Sequence, residues 1–174
     1  EGLIGEILNA QRIYTAGAGR TGLVARAFAI RLMHIGLDPY VVGETIVPAM
    51  GPGDLLVAFS GSGETTTVLD YCIAAKDAGG RVCLVTGRAA SSIAAYADCV
   101  VSLGTGPAPG AEVSGTFEIR QITGEYRSRT APFAVLGTLF ETAAMVFADA
   151  VISEIMARRQ SSVDDLQKRR ANIE

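Results

Sequence analysis

Ser60-Gly61-Ser62-Gly63-Glu64-Thr65 packs three hydroxyls, two glycines and a carboxylate into six residues. It follows directly on the apolar run Leu55–Phe59 and precedes a stretch in which Val68, Leu69, Cys72 and Ile73 mark one side of a helix. A glycine loop between a buried strand and a helix start presents backbone N–H groups with no intrahelical partner, and the positive end of the helix dipole favours an anion there. Glycine lets that anion approach the backbone closely. Ser60, Ser62 and Thr65 add hydroxyl donors, so the pattern reads as a phosphate cradle rather than as a plain helix cap, which is worth only about 1 kcal/mol. Glu64 fits on the flank of the first turn, where it complements the dipole, or against a hydroxyl of the ligand.

A second loop of the same kind lies upstream in "YTAGAGRTGLVARAF", with Thr21 as a hydroxyl and Arg20 as a cation. Gly17, Gly19 and Gly22 match G-x-G-x-x-G and Glu44 follows the next strand, which on paper is a dinucleotide fingerprint. The separate phosphate chemistry of Ser60–Thr65 has no place in a dinucleotide fold, so no cofactor is expected. Two more residues merit weighing. Glu141 in "GTLFETAAM" is the fourth position of a Thr138-x-x-Glu141 capping box. Equally, it is a carboxylate in apolar surroundings, whose charged form is disfavoured so that it can serve as a base. His34 is the chain's one histidine. It ends a helix that starts at the first loop, about 20 Å away at 1.5 Å per residue, so it either packs or caps locally or enters a neighbouring subunit's site.

The elements that must hold these residues alternate along the chain. Strand-like runs at Arg12–Ala16, Pro39–Val42, Leu55–Phe59, Arg81–Val85 and Cys99–Leu103 are separated by helical stretches at Thr21–Ile35, Thr65–Ala78 and Ser91–Ala97. Continuous apolar strands joined by helices predict a parallel sheet covered on both faces, here a three-layer α/β/α sandwich with five strands. On such a fold ligands gather beyond the carboxyl ends of the strands. Residues 104–135 break the rhythm as an irregular insertion or lid, within which "TFEIRQIT" alternates like an edge strand. Thr138–Arg158 reads as a long helix, apolar nearly all round in its early turns, which predicts a subunit interface. The charged tail "SSVDDLQKRRANIE" reads as a further short helix, draped on a neighbour.

Composition narrows the class. The 174 residues suffice for one domain with a substantial core. A formal charge of −3 gives no basic footprint for nucleic acid. No uncharged apolar run reaches the roughly 18–20 residues that span a bilayer, so no membrane partner is expected. Cys72, Cys83 and Cys99 have neither CxxC spacing nor histidine companions, which excludes a metal site and predicts reduced core thiols in a cytoplasmic protein. The chain starts at Glu1 rather than Met, so a trimmed N-terminal piece is expected.

Taken together, "TAGAGRTGLVARAFAIRLMHIG", "VGETIVPAM", "GDLLVAFSGSGETTTVL" and "LGTLFETAAMVFADAVI" closely resemble the 6-phospho-3-hexuloisomerases, small members of the sugar isomerase (SIS) domain superfamily. The resemblance implies a flavodoxin-like SIS domain over residues 1–174 and a homotetramer with active sites at subunit interfaces. It implies a cofactor-free isomerisation of 3-hexulose 6-phosphate and fructose 6-phosphate, within formaldehyde fixation or pentose supply through ribulose monophosphate. By the same resemblance Ser60, Gly61, Ser62, Gly63, Glu64 and Thr65 bind the phosphate, Thr21 binds substrate and Glu141 is the proton acceptor. Arg20 and a neighbour's His34 are the candidates for the second acid–base group. The chain departs from the family at Ala134-Val135-Leu136-Gly137, where a Pro-Met-Gly approach is usual, in its longer preceding loop, and at Arg170, where the tail usually carries a histidine. Those departures leave two other functions open: isomerisation of another phosphosugar of the arabinose 5-phosphate type, and a non-catalytic SIS module that senses a sugar phosphate.

Overall fold

The computed structural model describes residues 2–105 and 138–161, with Gln167 and Arg169 of the tail. Its elements run α1 (Gly2–Asn9), β1 (Ile13–Gly17), α2 (Arg20–His34), β2 (Pro39–Val41), β3 (Leu55–Ser60), α3 (Thr66–Asp77), β4 (Arg81–Thr86), a 3-10 turn (Ile93–Tyr96), β5 (Cys99–Ser102) and α4 (Thr138–Arg159). The five strands form one parallel sheet in the order β2-β1-β3-β4-β5. Register is in step throughout, with Ile13 beside both Pro39 and Leu55, Leu55 beside Arg81, and Cys83 beside Cys99.

Two-residue periodicity divides the core into two layers. Ile13, Leu55, Val57, Phe59, Cys83 and Val85 point to the face covered by α1, α2 and α4. Tyr14, Ala16, Leu56, Ala58, Val82 and Leu84 point to the other face, covered by α3 and the 3-10 turn. β3 is buried at every position because both faces of a central strand are roofed by helices. Phe28 of α2 meets Phe59 edge-on at 5.8 Å, an arrangement aromatic quadrupoles prefer. α4 buries a single stripe, Phe140, Ala144, Ala148, Val151, Ile152 and Ile155, against this layer.

Two expectations change. Ser91–Ala97 contracts to one 3-10 turn, because Ser92 is engaged by the neighbouring loop and Ala97 already has extended backbone leading into β5. The amphipathic α1 was not anticipated; it buries Leu3 and Ile7, and its Glu6 pairs with Arg81 at 2.5 Å. The insertion at 104–135, with the edge strand expected in it, lies outside the described residues apart from Gly104 and Thr105, as do Ala134–Gly137, the Thr138 side chain, Arg170 and most of the tail.

The strand order places chemistry. From β1 the chain winds outward to β2, and from β3 it winds the other way to β4 and β5, so the direction reverses between β1 and β3. Helices diverge from such a switch point and leave a crevice at the carboxyl ends of the two strands. Both glycine loops open into that crevice. The opposite edge of the sheet is closed by ion pairs, Arg12–Asp54, Arg81–Glu6 and Lys76–Asp98.

Candidate active site

The first loop is shaped by close backbone contact. A Cβ on Gly17 would lie 2.6 Å from the Thr21 carbonyl oxygen, and one on Gly22 would lie 3.0 Å from the Gly17 oxygen. These glycines let α2 start directly on the end of β1. Gly19, at φ 59, occupies the N-cap position and has no side chain with which to cap it. Thr21 folds back on the loop: its hydroxyl accepts from the Ala18 N–H at 3.1 Å and donates to the Ala18 carbonyl at 2.9 Å. Glu44, the acidic residue of the dinucleotide pattern, pairs with Arg26 at 2.7 Å.

In the second loop the hydroxyls divide into two kinds. Ser60 Oγ is buried, accepts from the Gly63 N–H at 3.1 Å and shares a 3.2 Å hydrogen bond with Thr65 Oγ1. Thr65 is the N-cap residue of α3, yet its side chain makes this bond instead of capping the helix. Ser60 and Thr65 therefore staple the loop shut, and Gly63 turns it at φ 70. Ser62 Oγ accepts from the Glu64 N–H at 3.1 Å, and among the described residues no acceptor takes its proton. Neither α2 nor α3 has a side-chain cap at the end facing the crevice. Two helix starts, each with its partial positive charge, thus meet at the switch point.

Glu64 has a different setting from the one expected. Its carboxylate accepts from the Ser92 N–H at 3.0 Å and from the Ser92 hydroxyl at 2.5 Å. The chain after β4 is further stitched to the loop by Gly87 N–H to the Gly61 carbonyl and Ile93 N–H to the Gly63 carbonyl, both 3.1 Å. These β4–β5 residues had no signal of their own in the sequence beyond Thr86-Gly87, another strand end followed by glycine.

Glu141 arrives from the third direction. The ring of Phe140 lies over Gly61, where a Cβ would meet it at 3.1 Å, and so seats the first turn of α4 against the second loop. Glu141 then pairs with Arg20 of the first loop. This corrects the picture of a carboxylate in purely apolar surroundings: its side chain is 13% exposed and its partner is a guanidinium. The structure brings together Arg20, Thr21, residues 60–65 and Glu141. It does not bring His34 to them; that residue is half-buried at the far end of α2. The tail returns to this far end within its own chain, with the Arg169 guanidinium against Gly36 and Arg159 donating to the Ile35 carbonyl at 3.0 Å. No cluster of metal-ligating side chains occurs among the described residues.

A five-stranded parallel α/β sandwich, with two uncapped helix starts and a paired carboxylate at its switch point, defines a class of phosphate-binding crevice proteins. Residues 6–141 match the SIS domain model, and the chain belongs to that family. It is 36% identical to the 3-hexulose-6-phosphate isomerase of Bacillus subtilis over 99% of this chain and 85% of the relative. It is 37% identical to the Mycobacterium gastri protein of the same name, over 97% and 77%. Among solved structures it superposes with a TM-score of 0.81 on a Methanococcus jannaschii protein whose crystal structure infers a molecular function of 3-hexulose-6-phosphate isomerase. That pair shares 32% identity, covering 99% of this chain and 84% of the other. The likeness drawn from the motifs to 6-phospho-3-hexuloisomerases thus extends over almost the whole chain.

Proposed function

We propose that this chain is a sugar-phosphate isomerase that interconverts 3-hexulose 6-phosphate and fructose 6-phosphate. The observation that carries the reading is the convergence of Glu141 on both glycine loops, through Arg20 to one and through Phe140 over Gly61 to the other. A carboxylate is thereby held beside two helix starts suited to an anion. The names of the relatives supply the choice of phosphosugar.

Moving the carbonyl from C3 to C2 requires one carbon-bound proton to leave and another to arrive. Glu141 takes the proton from C2, giving a cis-enediol across C2 and C3, and returns it to C3. The proton of the C2 hydroxyl passes to the oxygen on C3. Arg20, already paired with Glu141, lies where it can polarise these oxygens as charge develops. The phosphate, distant from the reacting carbons, sits at the second loop and the start of α3 with the Ser62 hydroxyl as donor, and fixes the sugar in register with the base. Thr21 contacts the substrate as an acceptor, since its proton is committed to Ala18.

Exposed Leu23 and Ile30 and half-buried Ala27 and His34 share one face of α2 by their 4-3-4 spacing. Ala27 of this face meets Met145 of α4, and the exposed apolar residues favour assembly of subunits, the homotetramer of the family resemblance. His34 then stands on the interface and can enter a neighbour's crevice.

The test is a coupled assay for fructose 6-phosphate formed from 3-hexulose 6-phosphate, with Glu141→Gln alongside. Expected is turnover by the parent and a loss of about 10²–10⁴-fold in kcat in the variant, as for removal of a general base, with folding and substrate binding retained. Saturable binding of sugar phosphates by both proteins without turnover would replace the enzyme by a sensor. Turnover of arabinose 5-phosphate alone would change the substrate.

A further inference from the structure

A phosphate dianion held only by backbone N–H groups and one hydroxyl lacks a countercharge, and the supply of cations at this edge of the sheet is short. Three basic side chains are described at or beside the crevice. Arg20 is engaged by Glu141 and Arg26 by Glu44. The third is Arg88, two residues past the end of β4. It is half-buried, and among the described residues no carboxylate pairs with it.

Arg88 is anchored at both sides to the second loop. Gly87 before it donates to the Gly61 carbonyl at 3.1 Å, and its own N–H donates to Thr86 Oγ1 at 3.2 Å. Four residues on, Ser92 holds both oxygens of Glu64, the loop's own carboxylate, which makes no ion pair with Arg88. The segment 87–92 is thereby tied to the second loop at both ends, at Gly61 and at Glu64.

Given the phosphosugar reading above, on which this rests, we infer that Arg88 binds the substrate's phosphate and is a determinant of selectivity for phosphorylated over free sugars. A guanidinium suits the role because its planar fork can donate two parallel hydrogen bonds to phosphate oxygens, whereas an ammonium donates from one point. Arg20 remains with Glu141 for the reacting end, so the two arginines serve opposite ends of one ligand.

The experiment compares the parent with Arg88→Ala and Arg88→Lys, using 3-hexulose 6-phosphate as substrate and inorganic phosphate as a competitive inhibitor. Loss of a charge-assisted pair is expected to raise KM about 10- to 100-fold in the alanine variant, with kcat within about threefold and phosphate inhibition weakened in step. The lysine variant is expected to recover part of both effects. Thermal unfolding checks the fold, and should the alanine variant not fold, Arg88→Gln takes its place. Unchanged KM and unchanged phosphate inhibition in the variants would overturn the role of Arg88 and leave the site reading standing, as would a fall in kcat alone. A parent that neither turns over the substrate nor binds phosphate would overturn the site reading itself, and this role with it.

Discussion

Glu64 and Glu141 show how little a carboxylate's position in a motif says about its work. Both stand near helix starts, where a negative charge complements the dipole. Glu64 spends its oxygens on Ser92 and so ties the second loop to the chain after β4, while Glu141 faces a cationic side chain, Arg20, that is 62% exposed. These bonds suit Glu64 to positioning the loop, and a double-mutant cycle distinguishes that role from the expected direct contact with the substrate. Glu64→Ala and Ser92→Ala are each expected to raise KM by up to about tenfold, the value of a charge-assisted hydrogen bond. The double variant should be no worse than Glu64→Ala alone, because the two residues act as one unit. Additive effects in steady-state kinetics would instead put Glu64 on the ligand.

Among the elements, the strands and the long helices were legible in the sequence to within a residue or two, because apolar runs and glycine breaks report burial directly. The 3-10 turn and α1 were not. The turn is held by Ser91, whose Oγ accepts from the Ala94 N–H at 3.3 Å, and by the Ile93–Gly63 bond, a contact far along the chain. α1 is short, and its reason to be a helix lies in the sheet face it covers. The ion pairs that close the amino edge are equally tertiary, and one predicts a pH dependence. Burial by itself would raise the Asp98 carboxyl, but the Lys76 ammonium at 2.8 and 2.9 Å and the Val82 N–H at 2.8 Å outweigh it and hold the group below its ordinary 3.8. A depressed folded-state pKa contributes stability that is complete above 3.8 and drains as pH falls through the lower folded value. Asp98→Asn should therefore cost about 1 kcal/mol at pH 7, discounted for the pair's partial exposure. In denaturant titrations the gap between parent and variant should close as the pH is taken below 3.8.

For the whole molecule, the face made by α2 and α4 is the feature a single chain leaves unexplained. α4 buries one stripe on its own sheet and leaves Val146 66% exposed, and on α2 Leu23 is 65% exposed. Large apolar side chains exposed on both helices favour an association site on this face. The proposed assembly predicts that Val146→Asp lowers the sedimentation mass of the protein. With sites at subunit interfaces, it should also reduce turnover at low protein concentration, although Val146 lies outside the crevice. An unchanged mass would move the interface to another face. No helix among the described residues is long and apolar enough to cross a membrane.

The sequence by itself determined the layer architecture, the two glycine loops and their place at strand ends. Those follow from hydrophobic period and from glycine's freedom, which are local properties that neighbouring residues along the chain reveal. It also offered Glu141, but left that residue balanced between cap and base. Only the tertiary structure decided which hydroxyls build the second loop and which one faces outward, that Glu64 clamps Ser92, that Phe140 seats Glu141 over Gly61, and that Arg88 stands beside the cradle. Several of those depend on partners far along the chain, as Glu64 on Ser92 and Phe140 on Gly61. A side chain's remaining donors and charge are known only once the fold has chosen what it is already bonded to.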